Sequence, residues 1–308
     1  MPFSFFAPFF LAFGVSFSAV PLAANLARKV GAVDIPDGSR RRHKKITPRM
    51  TGIAVALGFS LSLLLSPSVD RYLSLALLFF GNAVCLSGAL DDFSPLSPTK
   101  KLLLQLLAAV GATLFGVSPQ WLPAPAAFAV SVLCFLLLMN AQNLVDGMDG
   151  LSASLALVST GGFFCLALQS GNGDLLPTIL LFALALIGFL PYNLPPARVF
   201  MGDAGSQFLG FTLAAVAITL SNGIVTPVSS ATDRFRIVFA LLLCLFLPLY
   251  DTVTSFFRRL ISGRSPFSAD RGHLHHRLTD AGFSDAAALF LLLLSQCALC
   301  FIAIAMEK

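Results

Sequence analysis

What this chain can fold into is limited first by its apolar runs. Ten of them follow one another, at roughly 3–27, 51–69, 71–90, 102–118, 124–144, 151–169, 175–191, 204–223, 235–253 and 285–306. Each approaches the 20 or so residues that an α-helix needs to cross a bilayer. Soluble domains carry about 25% charged residues, whereas this 308-residue chain has 11%, with 56% apolar. It has too little charge to solvate a globular surface, so the expected fold is an all-α polytopic integral membrane protein of about ten transmembrane helices. No stretch reads as a separate soluble unit, so residues 1–308 are taken as one domain. The first run lacks a basic segment ahead of it and is too long for a signal-peptide core, so it reads as a spanning helix. All six cysteines lie inside apolar runs, which argues against a disulfide framework or a zinc site. Cys297 and Cys300, in "CALC", read as a buried helix face rather than a redox pair.

Orientation follows from Lys and Arg, which accumulate in cytoplasmic loops. With ten spans, the loops after helices 1, 3, 5, 7 and 9 share a side. All of the 20 basic residues except Arg71, Arg234, Arg236 and Lys308 fall there. That side is therefore expected to be cytoplasmic, with both termini outside. The net charge of +5 is then a topology signal that also suits an anionic substrate. Nucleic acid is not expected, because no basic groove interleaved with aromatics is present. His43, His273, His275 and His276 lie on the same side, as do Asp91, Asp92, Asp146, Asp149, Asp203 and Asp270. The chemistry is one-faced.

Four polar clusters stand at these helix ends. "GALDDFSPLSPTKK" places Asp91 and Asp92 at a helix C-terminus, where the helix dipole and their mutual repulsion both disfavour charge. A solvated end paired with Lys100 and Lys101 is the plain explanation; a metal or general-base site is the functional one. "NAQNLVDGMDGLS" sets Asn140, Asn143, Asp146 and Asp149 at membrane depth, where polar groups are costly. An ordinary Asn/Asp/Gly turn accounts for the glycines and not for the rest. "PYNLPPARVFMGDAGS" offers Asp203 at the start of a helix, where it could serve as an N-cap. Asn193 and Phe200 beside it could hold a base by edge hydrogen bonds and stacking. "RRLISGRSPFSADRGHLHHRL" mixes His273, His275 and His276 with five arginines, a better set of donors for phosphate oxygens than of zinc ligands. Carboxylates able to hold Mg²⁺ beside cationic phosphate binders suit phosphoryl transfer.

These motifs, in this order and together with "GAVDIP" at Gly31, resemble the polyprenyl-phosphate N-acetylhexosamine-1-phosphate transferases. Within that family the chain looks like the branch that initiates O-antigen, common-antigen or teichoic-acid linkage units. Thr51 stands where the family more often has a second glycine. The resemblance implies a cytoplasmic-face active-site cleft in a bacterial inner membrane. There UDP-N-acetylhexosamine, most simply UDP-GlcNAc, and undecaprenyl phosphate would give undecaprenyl-diphosphate-HexNAc and UMP with Mg²⁺, or alternatively Mn²⁺. It implies Asp203 on the metal, and Asn193, Phe200, Asp146 and Asp149 at the uridine end, with Asn140 and Asn143 also lining the substrate. His273, His275, His276 and Arg259 would meet phosphates or sugar, and Asp91 and Asp92 the lipid phosphate, with Lys100 beside them. A homodimer is the assembly it suggests. A phosphate monoester has a second pKa near 6, so the acceptor is already largely dianionic and needs a general base only weakly. Three alternatives stay open: the phospho-MurNAc-pentapeptide translocase branch, a CDP-alcohol type of phosphotransferase, and a transporter. The second lacks its Asp-Gly/Ala-Arg signature here. A transporter would put its acids mid-span and show an inverted repeat.

Overall fold

The computed structural model describes residues 3–35, 46–66, 70–225, 229–263 and 272–307. Arg40, Arg41, Arg42, His43, Lys44, Lys45, Arg264, Asp270, Arg271 and Lys308, which entered the charge argument above, lie outside the described residues. The protein is an all-α, multi-pass membrane protein. In chain order its elements are α1 (Phe3–Val30), β1 (Val33–Asp34), β2 (Thr47–Pro48), α2 (Ile53–Leu65), α3 (Arg71–Ala76) and α4 (Asn82–Phe93). Then come α5 (Pro98–Leu114), α6 (Ala124–Val145), α7 (Leu151–Gln169), α8 (Leu176–Asn193) and α9 (Gly202–Ile224). The last are α10 (Ala231–Cys244), α11 (Phe246–Ile261), α12 (Leu274–Asp280) and α13 (Asp285–Met306). A π turn, Leu77–Gly81, runs α3 into α4 as one span, and β1 pairs antiparallel with β2.

Each of the ten apolar runs contains helix, but the count of ten spans changes. Among the described residues seven helices are long and apolar enough to cross a membrane, or eight if one bent pair is a single span. The run at 51–69 yields only the 13-residue α2. The run at 102–118 begins earlier, as the 17-residue α5, because Ser97 accepts the Lys100 N–H as an N-cap and Pro98 takes the first turn. The run at 235–253 is broken at Leu245 into α10 and α11, which meet at 82°. Pro248 explains the break. It has no N–H, and its ring would collide with the carbonyl four residues back, that of Cys244.

The bundle is centred on α9, which is buried along nearly its whole length and packs against α4, α6 and α7. Small residues let the backbones approach: a Cβ on Gly88 of α4 would lie 2.4 Å from the Asp203 carbonyl oxygen of α9. The outside is apolar instead. Phe10, Leu64, Phe79, Leu107, Leu133 and Phe301 are all largely exposed, as a hydrocarbon solvent requires. Helix α11 shows the inversion most clearly. Its protein-facing stripe carries Asp251, Ser255 and Arg259, while Tyr250, Val253, Phe257, Leu260 and Ile261 point outward. A helix with an apolar outer face and a polar inner one belongs at a lipid boundary.

Candidate active site

The site is built where four segments meet the N-terminus of α9. The end of β2 and the stretch after it clamp the loop between α8 and α9. The Phe200 N–H donates to the Pro48 carbonyl at 2.9 Å, and the Gly52 N–H to the Met201 carbonyl at 2.9 Å. Thr51, in place of the family's more usual glycine, is fully buried and donates its hydroxyl to the Phe200 carbonyl at 2.6 Å. The loop is also braced from within, by Asn193 Nδ2 on the Val199 carbonyl at 2.9 Å. From the α6–α7 turn, Asp149 Oδ2 accepts the Ala197 N–H at 2.8 Å. Asn193 and Asp149 thus shape the loop, and Phe200, whose backbone the clamp holds, is partly exposed.

The loop ends at Gly202, whose φ of +71° suits glycine. Asp92 lies directly against it and caps α9 from outside: its Oδ1 accepts the Asp203 N–H at 3.0 Å and its Oδ2 the Ala204 N–H at 3.1 Å. A buried carboxylate satisfies two orphan donors and meets the positive end of the helix dipole. This corrects the expected pairing of Asp91 and Asp92. Asp92 has no exposed side-chain surface and serves α9. Asp203 is not the cap; its carboxylate is left for other partners.

Those partners surround it. Lys101 Nζ forms a close ion pair with Asp203 Oδ2, lies 3.1 Å from Asp91 Oδ2 and reaches Asn143 Oδ1 at 3.4 Å. Asn143 Nδ2 donates to Asp203 Oδ1 at 3.0 Å and to Ser206 Oγ at 3.0 Å. Arg49 closes the other flank, 3.5 Å from Asp92 and 3.7 Å from Asp203. Deeper in, Asn140 donates to Gln105 at 2.9 Å, Gln105 to Gln207 at 2.9 Å, and Gln207 to Asp203 Oδ2 at 3.4 Å. The amides therefore hold the acids in place, and Asn140 reaches Asp203 only through this chain. Asp146 approaches from the end of α6 and accepts the Gly202 N–H. Burial first, then the neighbouring Asp203 charge, push its carboxyl well above the ordinary carboxylate range.

Lys100, expected at the site, is exposed, and Lys101 is the lysine that meets the acids. A helical signal separates them. Lys101 shares a face with Gln105, Ala108 and Ala112, all buried, whereas Lys100 shares one with Leu104, Leu107 and Leu114, all exposed. Arg49 was visible only as a loop charge, since its partners lie on other helices.

The histidines gather beside this centre. His273 Nδ1 lies 2.7 Å from Asp251 Oδ2 and 3.3 Å from Ser255 Oγ, and the Leu274 N–H donates to Asp251 Oδ1 at 2.8 Å. The carboxylate anchors one ring nitrogen and leaves Nε2 for other work. The His275 and His276 ring centroids are 4.2 Å apart, and those of His273 and His275 5.8 Å. His275 Nε2 would be 2.9 Å from a Cβ on Gly147, so the cluster leans on the α6–α7 turn that carries Asp146. Arg259 is buried on the same stripe of α11 as Asp251. Asp251 belongs to none of the four polar clusters of the sequence; the i, i+4, i+8 spacing of Asp251, Ser255 and Arg259 is the signal that points to it.

Residues 74–221 match the family model for glycosyl transferase family 4. That segment holds Asp91, Asp92, Lys101, Asp146 and Asp203. The chain is 32% identical over 285 residues to a probable undecaprenyl-phosphate N-acetylglucosaminyl 1-phosphate transferase of Bacillus subtilis, covering 89% of this chain and 77% of that protein. It is 31% identical over 302 residues to the undecaprenyl-phosphate alpha-N-acetylglucosaminyl 1-phosphate transferase of Escherichia coli K12, covering 92% and 79%. A decaprenyl-phosphate N-acetylglucosaminephosphotransferase of Mycolicibacterium smegmatis is 32% identical over 300 residues, covering 87% and 74%.

Proposed function

The chain belongs to glycosyl transferase family 4, and from that membership we propose that it transfers N-acetylglucosamine 1-phosphate from UDP-N-acetylglucosamine to undecaprenyl phosphate. The products are undecaprenyl-diphosphate-N-acetylglucosamine and UMP. A lipid-phosphate oxygen forms the new bond to the sugar-bearing phosphorus, and the P–O bond to UMP breaks. One observation carries the reading: Asp91, Lys101, Asp203, Arg49 and Asp146 converge at one end of a lipid-facing bundle. That is where a membrane-bound phosphate can meet a soluble nucleotide. The excess of Lys and Arg at this end supports a cytoplasmic orientation in a bacterial inner membrane.

Each residue then has a task. Lys101 and Arg49 offer N–H donors to phosphate oxygens, Arg49 as a planar fork. Asp92 holds the first turn of α9, so Asp203 is presented at a fixed angle. His273, set by Asp251, gives a directed ring nitrogen for phosphate or sugar, with His275, His276 and Arg259 close by. Phe200 has the exposure to stack on the uracil. Asp91, which does not cap α9, is the carboxylate of its pair that we assign to the lipid phosphate.

The donor set also fits a hard cation. Mg²⁺ commonly takes one or two protein carboxylates and completes its shell with substrate phosphates and water. Asp203 and Asp91, already sharing one positive group in Lys101, are such a pair. When bound there, Mg²⁺ or Mn²⁺ supplies charge neutralisation for the diphosphate.

The test is UMP release by detergent-purified protein with undecaprenyl phosphate, Mg²⁺ and UDP-GlcNAc, UDP-GalNAc or UDP-MurNAc-pentapeptide in parallel. EDTA and an Asp203→Asn variant serve as controls. UDP-GlcNAc turnover that EDTA abolishes, and that Asp203→Asn lowers beyond the roughly 10²–10⁴ of a lost proton-transfer group, is the expected result. Preference for the pentapeptide donor would move the chain to the peptidoglycan branch.

A further inference from the structure

The 82° elbow between α10 and α11 leaves backbone groups that the helix would otherwise pair. Among the i→i−4 bonds missing there are Leu247 N–H to the Leu243 carbonyl, and the bond to the Cys244 carbonyl that Pro248 cannot make. One side chain from another helix takes over both. Gln296 of α13, fully buried, accepts the Leu247 N–H on Oε1 at 3.1 Å. Its Nε2 donates to the Leu243 carbonyl at 3.0 Å and to the Cys244 carbonyl at 2.8 Å. Its amide is thus spliced into the broken ladder, donating where the lost N–H groups donated and accepting where the lost carbonyl accepted.

The consequence reaches the site. In an apolar surrounding, a break is tolerated only where the freed groups find partners, so the bonds to Gln296 select this bend over a straight helix. One turn beyond the elbow, α11 carries Asp251, which holds His273, and then Ser255 and Arg259. The direction in which α11 leaves the elbow determines where those groups lie. We propose that Gln296 is a positioning residue for the transfer reaction: its amide fixes the α10–α11 angle and thereby the placement of Asp251 and His273. The kinetic part of this proposal rests on the transferase reading above.

Two measurements test it on the full chain. The first needs no activity: nitroxide labels carried on non-natural residues at Ile261 and Phe301, both strongly exposed, report the distance from α11 to α13. A narrow distribution in the parent that shifts or broadens in Gln296→Leu supports the proposal; an unchanged one overturns it. The second is a double-mutant cycle in kcat/KM for UMP release. Gln296→Leu is expected to lower it about tenfold and Asp251→Asn about a hundredfold. The double variant should fall no further than Asp251→Asn alone, because both act through one placement. A multiplicative loss of about a thousandfold would mean that Gln296 only adds stability, and overturns the assignment. If Gln296→Leu does not purify as a monodisperse species, Gln296→Glu goes through the same cycle under the same criteria, since it keeps the acceptor for Leu247 and replaces the amide N–H donors by a carboxyl oxygen. Parent protein without turnover on any sugar nucleotide defeats the transferase reading, while the distance measurement still decides the elbow.

Discussion

Replacing Asp92 by Asn separates a carboxylate that holds the site from one that acts in it. Both Asp92 oxygens accept backbone N–H groups of the first turn of α9. Asn keeps one acceptor and turns an NH₂ toward the other N–H, so one charge-assisted bond is lost and one donor is left facing a donor. Such a bond contributes about 1.5–3 kcal/mol, and the charge–dipole interaction about 0.3–2 kcal/mol more. The expected loss is about 2–5 kcal/mol. A kcal/mol moves the Tm of a chain of 150–250 residues by about 2–4 °C and a longer chain by less, about 1.5 °C here, so the fall should be roughly 3–8 °C. Turnover should fall with it, because Asp203 rides on that turn. Asp91→Asn makes the contrast. Asp91 accepts the Leu96 N–H at 2.6 Å and shares Lys101 with Asp203, so its loss leaves Lys101 a partner. Its Tm should stay within about 3 °C while UMP release drops by at least about 10². The assay is thermal unfolding of both purified variants beside steady-state kinetics. An Asp92→Asn protein with unchanged Tm and abolished turnover would refute the capping argument and return Asp92 to the substrate.

Two further outcomes follow from the same geometry. Lys101→Met should lower turnover by about 10²–10³, whereas Lys100→Met, altering an exposed charge, should stay within about threefold; equal effects in parallel kinetics would contradict the face assignment of α5. Asp146→Asn should raise thermal stability at pH 7 even as it impairs activity. The carboxyl of Asp146 is held above its ordinary range in the folded protein, so ionising it costs stability as pH rises past the unfolded value. The gain should shrink as pH falls into the ordinary carboxylate range, where Asp146 is protonated in both states, and Tm measured from pH 4 to 8 checks the sign.

Much of this protein is legible in one dimension, and the divide has a physical cause. Bilayer crossing demands a long local run of apolar residues, so every helix-forming run, and the gathering of acids, histidines and cations at alternate helix ends, can be read from order and composition alone. Membership of a sugar-phosphate transferase family was likewise legible in short motifs. Other features were local yet easily passed over: Lys101 rather than Lys100 follows from the buried face it shares with Gln105 and Ala108, and the break ahead of Pro248 follows from a missing N–H. What lay beyond the sequence are the pairings between helices. That Asp92 caps α9 while Asp91 shares Lys101 with Asp203, that Arg49 closes the acidic cluster, that Asp251 orients His273, and that Gln296 repairs the elbow are contacts between residues 10 to 154 positions apart. A charge or an amide carries no local mark of its partner, because hydrogen bonds and ion pairs act over about 3–4 Å, and only tertiary packing decides which groups come that close.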